Sequence, residues 1–186
     1  LTSKKYKESE GYLFLASPSF KTTTDCEALW KGVENGKVDF VSTDHCPFSC
    51  SQKGKYKDNF TKIPNGLPGV ETRLPLLITE GFWHRHIPLE RIVQVMSYNP
   101  ARILGLYPGK GTLQAGSDAD LVILDPDTEF VIQSKKLHMN VDWSPYEGFR
   151  CRGLPYLVMR RGETLYRQGE WIANKPKGKF IVRRIS

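Results

Sequence analysis

The chain has 186 residues, 39% of them hydrophobic and 25% charged, which is enough apolar content for a core at this length. No apolar run approaches the roughly 20 residues that span a bilayer, and no signal-peptide pattern opens the chain, so membrane insertion and secretion are not indicated and a cytoplasmic location is expected. The net charge of +7 is concentrated in Lys53-Gly54-Lys55-Tyr56-Lys57 and in the tail from Lys175 to Arg184. Without a nucleic-acid motif beside them, these read as a solvated loop and a solvated tail.

Taken in chain order, Leu1 to Glu10 is polar and loop-like, and Gly11 to Ala16 reads as a strand that runs into Ser17-Pro18. A helix is expected from Thr22-Thr23-Thr24, with Glu27 three residues after Thr24 as in a capping box, Ala28, Leu29 and Val33 facing inward, and Gly36 as the stop. Val38 to Ser42 then reads as a second strand. Strand, helix and strand in this order predict a βαβ unit with parallel pairing. The polar, Gly/Pro-containing stretch from Lys53 to Pro68 is expected to be a long loop over the strand ends. Val70, Leu74, Leu77 and Ile78 have helical spacing, and a further helix should begin at Pro88 and run to Tyr98, where Asn99-Pro100 breaks it. Beyond Asp125 the pattern is β: Leu121 to Leu124 and Phe130 to Ile132 as strands, then a hairpin of Tyr156–Met159 and Thr164–Tyr166 around Arg160-Arg161-Gly162-Glu163. Lys179-Phe180-Ile181-Val182 is expected to add a strand or an arm.

The run Val41-Ser42-Thr43-Asp44-His45-Cys46-Pro47-Phe48, followed by Lys62-Ile63-Pro64-Asn65-Gly66-Leu67-Pro68-Gly69-Val70-Glu71, carries the most information. An apolar run feeding into a lone carboxylate reads as a buried strand that presents Asp44 at its C-terminal end, where the catalytic groups of a β/α barrel sit. These residues resemble the dihydropyrimidinase and hydantoinase branch of the metal-dependent amidohydrolases, in which a Thr-Asp-His-Cys-Pro-Phe segment ends the eighth barrel strand. Asn99-Pro100-Ala101-Arg102-Ile103-Leu104-Gly105-Leu106 and Gly111 to Asp125 resemble the superfamily's crossing from barrel to β-sandwich. Asp142-Trp143-Ser144-Pro145-Tyr146-Glu147-Gly148 resembles the loop before the last strands.

The resemblance implies an α/β architecture: residues 1–108 as the last strands and helices of a TIM-like barrel, 109–172 as part of a β-sandwich, and 173–186 as a basic tail in contact with other subunits of a dimer or tetramer. It implies hydrolysis of dihydropyrimidines or hydantoins to N-carbamoyl amino acids, with two divalent metals, zinc by the resemblance. In the family the metals are held by a His-x-His pair, a carboxylated lysine, two further histidines and the last-strand aspartate. Only the aspartate has a counterpart here, Asp44, which is expected to bind metal and to carry the proton. The chain is therefore expected to be the C-terminal part of a longer enzyme, to need the missing N-terminal barrel segment as its partner, and to be inactive alone. Ser17, 27 residues before Asp44, and Asn65, 21 after it, are expected to bind the substrate ring through main-chain groups. Ser17-Pro18-Ser19-Phe20-Lys21 departs from the family's Ser-Pro-Pro-Leu-Arg, which leaves the substrate open.

His84-Arg85-His86 mimics a metal pair but should lie in a surface interhelical loop, and His45 is expected to orient or pack rather than ligate. His138 stands in a polar loop with nothing suggestive beside it. Cys26, Cys46, Cys50 and Cys151 have irregular spacing and read as free or buried thiols. Two other functions fit the same fold: a non-catalytic scaffold of the collapsin-response mediator type, which lacks the strand-end aspartate, and a dihydroorotase or allantoinase.

Overall fold

The computed structural model describes residues 1–172 and 178–183. Helix α1 spans Thr23–Glu34, α2 spans Cys50–Gly54, and α3, Arg73–Leu76, runs directly into a π-type segment, Leu77–Trp83. Helix α4, Leu89–Val93, likewise passes through a π-type segment, Gln94–Tyr98, into α5, Asn99–Ile103. An antiparallel sheet follows in the order β1 (Leu121–Val131), β2 (Arg150–Arg160), β3 (Glu163–Arg167), β4 (Glu170–Trp171).

Both strands predicted in the first part of the chain are absent as hydrogen-bonded strands. Gly11–Phe14 forms a 3₁₀ turn, and residues 38–42 have no regular structure and no ladder partner. Helices, not neighbouring strands, satisfy the backbone of the second segment. Arg91 donates to the carbonyls of Val33, at 2.5 Å, and Val38, at 2.6 Å; Asn99 donates to that of Asp39, and Arg73 to that of Val41. The Val41 N–H reaches the Val95 carbonyl at 3.0 Å. That carbonyl is free because the residue five positions on, which would close a π turn onto it, is Pro100 and has no N–H. Pro100 accordingly does not break the helix. It enters at the first turn of α5, where a missing N–H costs little.

Helix α1 starts two residues earlier than its pattern suggests. Thr22 is the N-cap and Asp25 closes the capping box, while Glu27 pairs with Arg85 at 2.6 Å. Its inward face is Trp30, Gly32 and Val33. Ala28 and Leu29 face outward, Leu29 being 63% exposed. Gly36, with φ 85°, ends the helix as expected.

Val33, Leu77, Ile78, Ile87, Ile92 and Val95 form the main core, with Trp30, Val38, Val41 and Leu124 packed against it. The sheet seats on the π-type segment at Thr79, whose hydroxyl accepts the Arg152 N–H at 2.9 Å and donates to the Pro75 carbonyl. Gly153, at φ 105°, makes this approach possible, since a Cβ there would lie 2.4 Å from Ile78 Cγ2. A second cluster, Leu13, Phe14 and Trp143 with Tyr12, Cys50 and Leu67 around it, lies under the loops that carry the candidate residues.

The β region is closer to expectation. The two strands predicted on either side of Asp125 are one irregular strand, β1, whose register against β2 shifts between Asp125 and Glu129. The β2–β3 hairpin turns at Arg161-Gly162, both at positive φ, as a type I′ turn requires. Residues 178–183 have no regular structure, with Phe180 and Val182 exposed, so no added strand forms at 179–182. The remainder of the predicted tail, 173–177 and 184–186, lies outside the described residues. Among the described residues no helix is long and apolar enough to cross a membrane.

Candidate active site

Asp44 follows the 38–42 segment with φ 45°, in the left-handed region. This region is uncommon for a residue with a Cβ, and Asp and Asn are the side chains that enter it most readily. The Asp44 side chain is exposed, as are those of Ser17 and Asn65. Backbone bonds bring their three loops together.

The Leu15 carbonyl, two residues before Ser17, accepts the Gly66 N–H at 3.2 Å, which joins the Ser17 loop to the Asn65 loop. The Cys46 N–H, two residues after Asp44, donates to the Leu67 carbonyl at 3.1 Å, and His45 and Leu67 form a parallel bridge. His45 Nδ1 accepts the N–H groups of Gly69, at 3.0 Å, and Val70, at 3.3 Å. A neutral ring accepting at Nδ1 holds its proton on Nε2. His45 is thus an orienting residue, as its position beside Asp44 suggested.

The segment after Asp44 is pinned from the other side by the loop before β2. Trp143 Nε1 donates to the Phe48 carbonyl at 2.8 Å, and the Asp142 carboxylate accepts the Cys50 N–H at 2.9 Å, at the first turn of α2. Ser49 and Gln52 form a reciprocal capping box on the same helix.

Of the basic run 53–57, Lys55 and Lys57 are exposed as expected, and Lys53 is the exception to the solvated-loop reading. It lies on α2, is 0% exposed, and donates from Nζ to the Leu15 carbonyl at 2.8 Å. Burial pushes its ammonium down to about 8. The Ser49-x-x-Gln52 capping box was the sequence signal that a helix, and not a loop, carries this lysine.

An open cleft of about 240 Å³ adjoins this arrangement, lined by Ser42, Thr43, Gly69, Arg73, Pro145 and Tyr146 among others. Asp44, Ser17 and Asn65 do not line it. Arg73 is held by the Val41 carbonyl, and burial lowers its guanidinium pKa.

His84 and His86 are exposed between the π-type segment and α4, with His84 Nδ1 3.1 Å from Glu80. His138 does have a neighbour, contrary to its reading from sequence: Glu71 accepts its backbone N–H at 2.6 Å and lies 2.8 Å from Nδ1. All four cysteines are free, and Cys151 is buried. Among the described residues no three His, Cys, Asp or Glu side chains converge on a point that could hold a metal ion.

Comparison with known proteins places the chain in a family. The amidohydrolase family model matches residues 2–165. The D-phenylhydantoinase of Escherichia coli O1:K1 / APEC is 42% identical over 185 residues, which are 99% of this chain and 40% of that protein. A D-hydantoinase (dihydropyrimidinase) from Thermus sp. superposes with a TM-score of 0.93 at 38% identity, over 96% of this chain and 40% of that one. An L-hydantoinase (dihydropyrimidinase) from Arthrobacter aurescens superposes at 0.87 with 34% identity, over 93% and 38%. The chain therefore spans about 40% of the length of the relatives it matches, and it belongs to the amidohydrolase family.

Proposed function

We propose that these residues form one side of the active site of a cyclic amidohydrolase, which opens the ring amide of hydantoins or dihydropyrimidines to give N-carbamoyl amino acids. The observation that carries this reading is the exposed carboxylate of Asp44, set where the Leu15–Gly66 and Cys46–Leu67 bonds gather the Ser17 and Asn65 loops. Asp44 takes the proton of the attacking water and returns it to the departing ring nitrogen, the general base and acid of one cycle. Peptide N–H and C=O groups at Ser17 and Asn65 meet the planar donors and acceptors of the ring. A main-chain array suits such a substrate because it holds its geometry without side-chain entropy loss.

In this reading residues 1–108 belong to the last part of a β/α barrel and 109–172 to a β-sandwich, while the basic tail meets another subunit of a dimer or tetramer. Two divalent metals, held by Asp44 together with residues outside this set, would lower the pKa of a bound water and polarise the ring carbonyl. Asp44 is the single ligand drawn from these residues, and the others, with a carboxylated lysine, come from protein outside them. The test is an assay of the complete barrel, loaded with zinc, against a 5-substituted hydantoin and dihydrouracil. Release of the N-carbamoyl amino acid, lost in Asp44→Asn, is the expected result. Tight binding of either ring without turnover by the wild type would overturn the enzymatic reading in favour of a scaffold.

A further inference from the structure

We propose that Lys53 is a positioning residue for substrate recognition: its buried ammonium grips the Leu15 carbonyl, which the Gly66 N–H also reaches, and so fixes the spacing of the Ser17 and Asn65 peptide groups. The inference rests on the cyclic-amide reading above and adds to it a residue that touches no substrate.

A single acceptor, the Leu15 oxygen, receives two donors from two different segments, Nζ of α2 at 2.8 Å and the Gly66 amide at 3.2 Å. Leu15, the acceptor, lies two residues before the first expected ring contact, and Gly66 lies one residue after the second. A fully buried lysine is rare, because its charge loses hydration that one carbonyl only partly replaces. The same desolvation lowers the affinity of the buried amine for its proton. A methionine would fill the same volume without that penalty. Maintaining the charge therefore favours a geometric role over simple packing. The helix that delivers Lys53 is itself fixed by Asp142 and by the Trp143–Phe48 bond, so the grip is anchored to the loop before β2.

Two measurements on Lys53→Met test this. In the 186-residue chain, hydrogen exchange at the Gly66 amide should accelerate by about tenfold or more, the equivalent of one charge-assisted bond, while thermal unfolding stays cooperative. In the complete, metal-loaded barrel, KM for the cyclic amide should rise by about tenfold, with kcat changed by less than about threefold, because Asp44 is untouched. A purely structural lysine gives the opposite split, a kcat lowered with the folded fraction and KM unchanged. Lys53→Gln, which keeps a shorter N–H donor, should fall between wild type and the methionine variant, and it serves if Lys53→Met does not fold. Unchanged Gly66 exchange overturns the grip. Faster exchange with unchanged KM overturns its role in recognition. If the wild type opens no cyclic amide, the functional reading fails, and the exchange measurement still decides whether Lys53 sets the loop spacing.

Discussion

Gly66 lies flat against Cys46: a Cβ built on Gly66 would stand 2.4 Å from the Cys46 carbonyl oxygen and 2.7 Å from the Cys46 Cβ. The φ of Gly66 is 146°, a backbone setting that L side chains rarely adopt. The Asp44 and Asn65 loops can therefore meet only through a glycine. Gly66→Ala should destabilise the chain by about 2 kcal/mol or more, combining backbone strain with a clash against main chain that cannot move aside. Denaturant unfolding measures this, and a loss under about 0.5 kcal/mol would mean that the two loops are not held in contact.

Asp44 separates function from stability. At φ 45° asparagine is as well tolerated as aspartate, whereas alanine is not. Asp44→Asn should leave the unfolding free energy within about 0.5 kcal/mol of wild type, yet lower turnover in the complete barrel by about 10²–10⁴-fold as the proton carrier is lost. Asp44→Ala should lose a further ~1 kcal/mol of stability. Near-normal turnover in Asp44→Asn would remove the carboxylate from the chemistry.

How far the sequence reveals the candidate site and the fold differs residue by residue. Asp44, Ser17 and Asn65 sit in motifs whose order along the chain survives whatever the backbone does between them. The β2–β3 hairpin was legible because Arg161-Gly162 supplies the positive φ values that its turn demands. The two strands assigned before Asp44 were misread because apolar runs indicate burial, not pairing. Val38 and Val41 are packed against the core, but their hydrogen bonds go to Arg91, Arg73 and the Val95 carbonyl, partners 32 or more positions away in sequence for each side chain. Lys53 was misread because charge counts as exposure in any local pattern. Only the three-dimensional approach of α2 to Leu15 buries it.

Lys53 also predicts a pH dependence of stability. Its ammonium titrates near 8 in the folded chain against 10.5 for an ordinary lysine. Between these values the unfolded chain binds more protons, so stability rises as pH increases from about 8 to about 10.5, and the burial cost is fully present below 8. Lys53→Met lacks this rise. Relative to the variant, the wild type should therefore gain up to about 3 kcal/mol between pH 7 and pH 10.5, at about 1.4 kcal/mol per unit of displacement. Paired denaturant titrations under reducing conditions measure the difference, in which the other titrating groups cancel. A constant difference across this range would show that the ammonium is not desolvated.

Metal content gives the last prediction, through the histidine pair that most resembles a ligand motif. A catalytic zinc ordinarily takes three protein ligands, and no such group forms among the described residues. After dialysis the 186-residue chain should hold substoichiometric zinc. His84 is engaged with Glu80 at the surface, and Glu80 keeps Arg85 at 2.6 Å when His84 is removed. His86 stands at φ 55°, so Ala there adds up to ~1 kcal/mol of backbone strain without touching Asp44. Replacing both by Ala should leave metal content and turnover of the complete barrel almost unchanged, with a small loss of stability. A double variant that loses its metal, or two tightly held equivalents on the wild-type chain alone, would mean that the ligands lie within these residues after all.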